Sequence, residues 1–397
     1  MRKIVAYMVK VTLPLAALLY GCVNDYELPK EISQSYRSEV VIEGRILSGE
    51  ESVFYVTRTT PLLSGEAKED IVTNAQVRII GENGYKSDLA ENTEDAKYVI
   101  NTGTLPANTN YAVEVKVEKD VYQSMFQPLL TTPEISMLSW KELPNKISIY
   151  VSTEGQDSNQ KYYMWSYEED WQFHAWKDMN DFSPDGMPVY NAQVYKDFVM
   201  GEKNPYYWCF GHASSGKIMI YSTENLKDNK VINHELLSYD AKEIKVSSLY
   251  SILVKQWTLP QEAYEYYRLM KLYTEDAGGL FTPMPSDVRG NLTCISDETK
   301  SVRGYVIASM VKEKRMFVDA NEYKLNTPGV LQGFYSTDQT QPSWAVIWSQ
   351  WIENGYVAFS PDGSFKKATI IYAPECVDCL LHTGATQIRP SFWPENH

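Results

Sequence analysis

Residues 105–117 read Leu105-Pro106-Ala107-Asn108-Thr109-Asn110-Tyr111-Ala112-Val113-Glu114-Val115-Lys116-Val117. The first half is turn chemistry: proline fixes φ, and asparagine tolerates tight backbone conformations. The second half alternates with period two. Tyr111, Val113, Val115 and Val117 share one face, and Ala112, Glu114 and Lys116 share the other, as in a strand packed on one side. The same grammar extends outward. Val40-Val41-Ile42-Glu43-Gly44-Arg45-Ile46 and Val53-Phe54-Tyr55-Val56-Thr57 are β-branched and aromatic runs. Ala75 to Ile79 alternates, and Asn83-Gly84 behind it is a hairpin turn signal. About seven short strands at this spacing predict a β-sandwich of immunoglobulin or fibronectin type over residues 39–134. Leu130-Thr131-Thr132-Pro133-Glu134 reads as the linker that follows it.

Residues 136–397 read as a larger, mainly β domain with one helix at about 259–277. Ile147, Ile149 and Val151 alternate, and Tyr250 to Trp257 is a strand that runs straight into the helix. Thr258-x-x-Gln261 resembles a capping box, and Pro260 is tolerated in the first turn. Ala263, Tyr267, Met270 and Tyr273 fall at helical spacing and are expected to face a sheet, with Glu262, Glu265 and Lys271 outward. Gly278-Gly279 ends the pattern.

The chain has 397 residues, of which 44% are hydrophobic and 22% charged, so folded domains rather than disorder are expected. A formal net charge of -14 argues against nucleic acid as a partner, because phosphate binding needs concentrated Lys and Arg. Only five histidines are available, which leaves little for a His-rich metal site, and neither a metal nor another cofactor is expected.

Arg2 and Lys3 precede an apolar run from Ile4 to Tyr20, which ends in Leu19-Tyr20-Gly21-Cys22. A basic start, a short apolar run and a small residue before the cut make an export signal over residues 1–21. A cysteine at this position makes it a lipoprotein signal, with Cys22 as the acylated first residue of the mature chain. Three acyl chains exceed what stable membrane attachment requires. Residues 22–38 then read as a polar tether, in which Asp25 and Glu27 follow the lipidated cysteine closely.

Cys209, Cys294, Cys376 and Cys379 remain after lipidation, and in an exported chain they are disulfide candidates. Long-range pairing of both Cys376 and Cys379 is expected, because a bridge between two positions so close would constrain almost nothing. A redox dithiol would need a thioredoxin-like unit, and a zinc site would need further ligands. The aromatic stretch Tyr162–Trp176 offers Tyr163, Trp165, Trp171 and Trp176 as a sugar-stacking platform, or else Tyr163, Trp165 and Tyr167 as the buried face of a strand. Glu168, Glu169 and Asp170 read as a solvated acidic edge, since neighbours on a strand cannot converge as a glycosidase pair. Gly211-His212-Ala213-Ser214-Ser215-Gly216 places His near Ser without establishing a triad. No catalytic motif is present.

Several stretches resemble an uncharacterised lipoprotein family of Bacteroidota, that of domain of unknown function 4249. They are YSILVKQWTLPQEAYEYYRLMKLYTEDAGGLFTPMPSDVRGN (250–291), YYMWSYEEDWQFHAW (162–176), the Cys209 region, VRGYVIAS (302–309) and ECVDCLLHTGATQIRPSFWP (375–394). Phe210 stands where the family usually has Trp. The resemblance implies an outer-membrane lipoprotein, held in the membrane by its lipid. It would be accessory to a TonB-dependent, SusC-like transporter in ligand capture, assembly or export. Asp25 and Glu27 soon after Cys22 resemble the acidic start of surface-displayed proteins of that phylum, which favours the cell surface over the periplasmic face. The lack of a catalytic motif makes a non-enzymatic role the expectation. The alternatives are a stand-alone surface glycan- or peptide-binding module and, third, a hydrolase with an unrecognised site.

Overall fold

The computed structural model describes residues 38–60, 70–92, 97–157, 160–175, 207–275, 288–324, 334–337, 357–359, 369–372 and 378–395. The described residues are mainly β, with a single α-helix. The first strands are β1 (Val40–Ser48), β2 (Glu51–Arg58), β3 (Gln76–Gly81), β4 (Lys97–Asn101), β5 (Asn110–Val117) and β6 (Asp120–Ser124). β1, β2 and β4 pair antiparallel in one sheet, and β3, β5 and β6 pair antiparallel in another. Their apolar faces close on each other. Ile42, Phe54, Val56 and Tyr98 from the first sheet share a core with Val77, Ile79, Tyr111, Val113 and Val115 from the second. This is the sandwich that the period-two pattern predicts.

The second half contributes β7 (Ile135–Leu143), β8 (Lys146–Glu154), β9 (Tyr162–His174), β10 (Trp208–Ser214), β11 (Met219–Ser222), β12 (Lys230–Asp240), β13 (Leu249–Leu259), α1 (Gln261–Glu275), β14 (Leu292–Cys294) and β15 (Val306–Asp319). β7, β8 and β12 form one sheet, which packs on the sheet of β10, β9, β13 and β15. Ile147, Ile149, Tyr163, Trp165, Tyr250 and Ile252 lie in the core between them. A further sheet joins Phe334–Thr337, Thr369–Tyr372 and Val357–Phe359.

The two halves are not separate in the way the linker reading implies. Residues 39–134 lack two strands of their own sandwich, and the second half supplies them. β14 pairs antiparallel with β6, while Val302–Arg303 and the start of β15 pair parallel with β1. Leu292, Cys294, Val306 and Ala308 accordingly belong to the first core. β15 then continues from Val311 into the second sandwich, antiparallel to β13. β15 therefore joins one layer of each sandwich into a single continuous sheet, in the order β10, β9, β13, β15, β1, β2, β4, a long-range pairing that local pattern does not reveal. The supposed linker is pinned to the same elements: Met310 N–H donates to Leu130 O at 2.8 Å, Thr258 N–H to Thr132 Oγ1 at 3.0 Å, and Gln256 Nε2 to Pro133 O at 2.8 Å.

α1 starts directly at the end of β13, with Tyr264 N–H donating to Pro260 O at 3.1 Å. The expected capping box does not form, because Thr258 is still strand and its hydroxyl is buried without a partner. Ala263 and Tyr266 are the buried residues of the helix, with Tyr264, Tyr267 and Met270 packed around them against Tyr162, Met164, Trp257 and Ile307. Glu262 and Glu265 face outward as expected, but Tyr266 rather than Tyr267 lies deepest.

Candidate functional site

The acid triplet of β9 is the chemically richest place in the described chain. Strand alternation sends Glu169 to one face and Glu168 and Asp170 to the other. The expected solvated edge is not what forms: Glu169 is 2% and Asp170 7% exposed. A buried carboxylate must be paired and hydrogen-bonded. Glu169 accepts from the hydroxyls of Tyr239 and Tyr250, the latter at 2.6 Å, and from Lys245 Nζ at 2.9 Å. Lys245 also lies over the Trp171 ring, 4.7 Å from its centroid. Burial first, and then the Glu169 charge, push the phenols of Tyr239 and Tyr250 up, so both stay protonated donors at neutral pH.

On the opposite face Asp170 Oδ1 lies 2.8 Å from His212 Nδ1, and Arg315 Nη1 lies 3.4 Å from Oδ2. Arg315 also donates to Ser251 Oγ at 2.7 Å and stacks on Phe392, 3.5 Å from its centroid. Glu168 pairs with Lys255 at 2.9 Å. A histidine oriented by a buried acid is the base half of a triad, and a nucleophile on its other nitrogen would complete it. The neighbouring Ser215 hydroxyl accepts from Tyr167 N–H at 3.1 Å, and no hydrogen bond joins a serine hydroxyl to His212 among the described residues. Glu169 and Asp170 cannot act on one bond, since they face opposite sides of the sheet. What the arrangement does chemically is neutralise its own charges across β9, β10, β12, β13 and β15.

The proposed aromatic platform is not a surface. Tyr163 and Trp165 are 0% and 1% exposed, stack at 6.0 Å, and Trp165 Nε1 donates to Gln256 Oε1 at 2.8 Å. Their alternation on β9 turns them into the second core, so they offer no face for a sugar. Trp171 is covered by Lys245, and Trp176 lies outside the described residues.

Cys209 and Cys379 form a disulfide with Cα atoms 5.8 Å apart and a sequence separation of 170. It ties residues 378–395 to β10, where Phe210 and Thr386 exchange backbone hydrogen bonds and Trp393 is buried against Phe210 and Leu249. The expected use of Cys294 in a second bridge is corrected: its thiol is free and buried in the first core, 3.4 Å from Ser296 Oγ. Cys22 and Cys376 lie outside the described residues. No group of three or more His, Cys, Asp and Glu side chains suited to a metal ion occurs among the described residues.

A polar cleft of about 350 Å³ opens where β1 and β2 approach β9, β13 and β15. It is lined by Arg45, whose guanidinium carbon lies 4.4 Å from the Trp257 ring centroid, and by Glu168, Lys255 and Glu313. The sequence gives little sign of this pair, because Arg45 and Trp257 meet only through the β1–β15–β13 pairing. The pairing of Asp170 with His212 and Arg315 is hidden from the sequence for the same reason, since it depends on which strands flank β9 and β13.

No curated protein matches the chain. A family model described as Domain of unknown function (DUF4249) matches residues 25–315, which is most of the chain, and the protein therefore belongs to that family.

Proposed function

We propose that the protein is a non-enzymatic lipoprotein of the outer membrane, anchored through acylated Cys22. It would work as an accessory of a TonB-dependent transporter in ligand capture, assembly or export. The observation that carries this reading is the Leu19-Tyr20-Gly21-Cys22 box behind a basic and apolar leader. The family match begins just past Cys22, which suits a leader that is not part of the folded unit. None of the helices among the described residues is long and apolar enough to cross a membrane, so a lipid would be the means of attachment there. The mutual neutralisation of Glu169, Asp170 and their partners supports a binding or scaffolding role over catalysis.

The test is acylation followed by recovery of partners. Palmitate should label the wild-type chain and not Cys22→Ser, which should accumulate as an uncleaved precursor. The wild-type protein, purified from membranes in mild detergent, should carry a β-barrel partner. Label on Cys22→Ser, or the absence of any barrel, would count against the respective half of the proposal. The Arg45–Trp257 cleft favours a second reading, a surface glycan- or peptide-binding module that needs no transporter.

A further inference from the structure

A different cavity, of about 430 Å³, lies where the first sandwich meets the start of α1. Its walls are apolar, from Met125, Phe126, Pro128, Leu130 and Pro260, and Tyr305, Glu262, Arg289, Gln127 and Asn291 bring the polar groups, of which Gln127 and Asn291 are already bonded to the Val306 backbone. The size falls in the range of small-molecule sites. Tyr305 is 6% exposed, its ring held against Tyr266 at 5.1 Å and Tyr267 at 6.3 Å. Burial chiefly, then the Glu262 carboxylate and then Tyr267, push its phenol up to about 12. No hydrogen bond engages that hydroxyl among the described residues, although it belongs to a side chain more than nine-tenths buried at the cavity.

Glu262 occupies the first turn of α1 and has no ion pair among the described residues, whereas Arg289 is already engaged. The unspent groups of the cavity are therefore a carboxylate, which only accepts, and a phenol oxygen, which can accept. A neutral apolar ligand would cover Glu262 without pairing it, and an anion would be repelled by it. An ammonium group satisfies both oxygens at once and also suits the aromatic faces of Phe126 and Tyr305.

We propose that this cavity binds a primary ammonium group carried on a compact apolar body, with Glu262 and Tyr305 receiving the ammonium and Met125, Phe126, Pro128 and Leu130 enclosing the rest. A free amine and the amino terminus of a peptide share this chemistry. The inference stands on the cavity itself, with or without a transporter partner.

Calorimetric titration of the full chain with leucinamide, with the tripeptide leucyl-glycyl-glycine and with N-acetyl-leucinamide tests it. The first two should bind and the acetylated compound, which lacks the ammonium, should not. E262Q should weaken binding about tenfold or more, about 1.4 kcal/mol, and Y305F should weaken it several-fold. Both variants should melt like the parent, since Glu262 is on the surface and Y305F keeps the ring. Tighter binding of the tripeptide assigns the site to a peptide end, and tighter binding of leucinamide assigns it to a free amine. Equal binding of the acetylated compound, unchanged binding by E262Q, or no saturable binding of either ammonium ligand would overturn the proposal. Failure to recover a transporter from membranes would leave this result untouched.

Discussion

Gly304 has φ +101°, and a Cβ there would sit 2.0 Å from the carbonyl oxygen of Ile42; a Cβ on Gly290 would sit 1.5 Å from the carbonyl oxygen of Gly304. These two glycines let the chain pass close enough for β15 to lie against β1. Gly304→Ala should lower stability by at least about 2–3 kcal/mol, combining left-handed strain with a backbone clash. Gly216→Ala, where nothing lies within 4 Å, should be near neutral. Urea midpoints of the two variants make the comparison, and equal midpoints would refute the close-approach argument. The buried phenols give a second prediction. Tyr163 and Tyr305 are pushed up to about 12 by burial, and Tyr250 is also well above its ordinary value of 10.0. Because the folded values are raised, the stability they contribute is complete below pH about 10 and is lost as pH rises from there through about 12. Urea midpoints should show a downturn in this window beyond whatever other groups contribute. Replacing Tyr163 and Tyr305 with Phe should make that downturn shallower. An unchanged profile would show that these phenols ionise alike in the folded and unfolded chain.

At the level of elements, α1 shows how far periodicity reaches. Its existence and its outward acids were legible from spacing, and Ala263 was rightly placed inward. The burial of Tyr266 was not, because the helix rests on Tyr305, whose position depends on β15. Ala263 is 0% exposed, so the helix approaches the sheet closely there. Ala263→Leu should cost about 1–3 kcal/mol by overpacking, while Glu265→Leu on the open side should cost far less. Thermal melts followed by circular dichroism would distinguish them, and similar losses would place the wrong face inward. The acid triplet on β9 makes the complementary point. Alternation gave the facing of Glu169 and Asp170 correctly, yet both faces of this central strand are covered, so the acids are buried on either side.

For the whole molecule, the continuity of β15 predicts that the first sandwich does not fold by itself. A fragment of residues 38–134 lacks the strands at Leu292–Cys294, Val302–Arg303 and Val306–Met310, which leaves β1 and β6 with open edges and the first core unfilled. It should show no cooperative melt, and a sharp one would restore the fragment as an independent domain. The Cys209–Cys379 bridge closes a loop with a sequence separation of 170. In the chain-entropy model such a loop contributes about 5 kcal/mol, and measured values often fall below that. Cys379→Ser should lower the melting temperature and detach Trp393 from Phe210, visible as increased tryptophan exposure to a quencher. Unchanged quenching would mean that apolar packing alone retains residues 378–395.

Sequence alone determined what depends on neighbours along the chain. Tyr111, Val113, Val115 and Val117 announced a strand with a buried face, and all four are buried in the first core. Trp165 was readable as core on the same ground, and the run from Tyr250 into α1 as strand then helix. Tertiary structure decided whatever depends on which strands meet. The completion of the first sandwich by residues beyond 290, the pairing of Asp170 with His212 and Arg315, the stacking of Arg45 on Trp257 and the choice of Cys379 for Cys209 all follow from long-range registers. Side-chain alternation states which face a residue takes. It carries no information about the strand opposite, because the backbone hydrogen bonds that join strands are the same for every residue but proline.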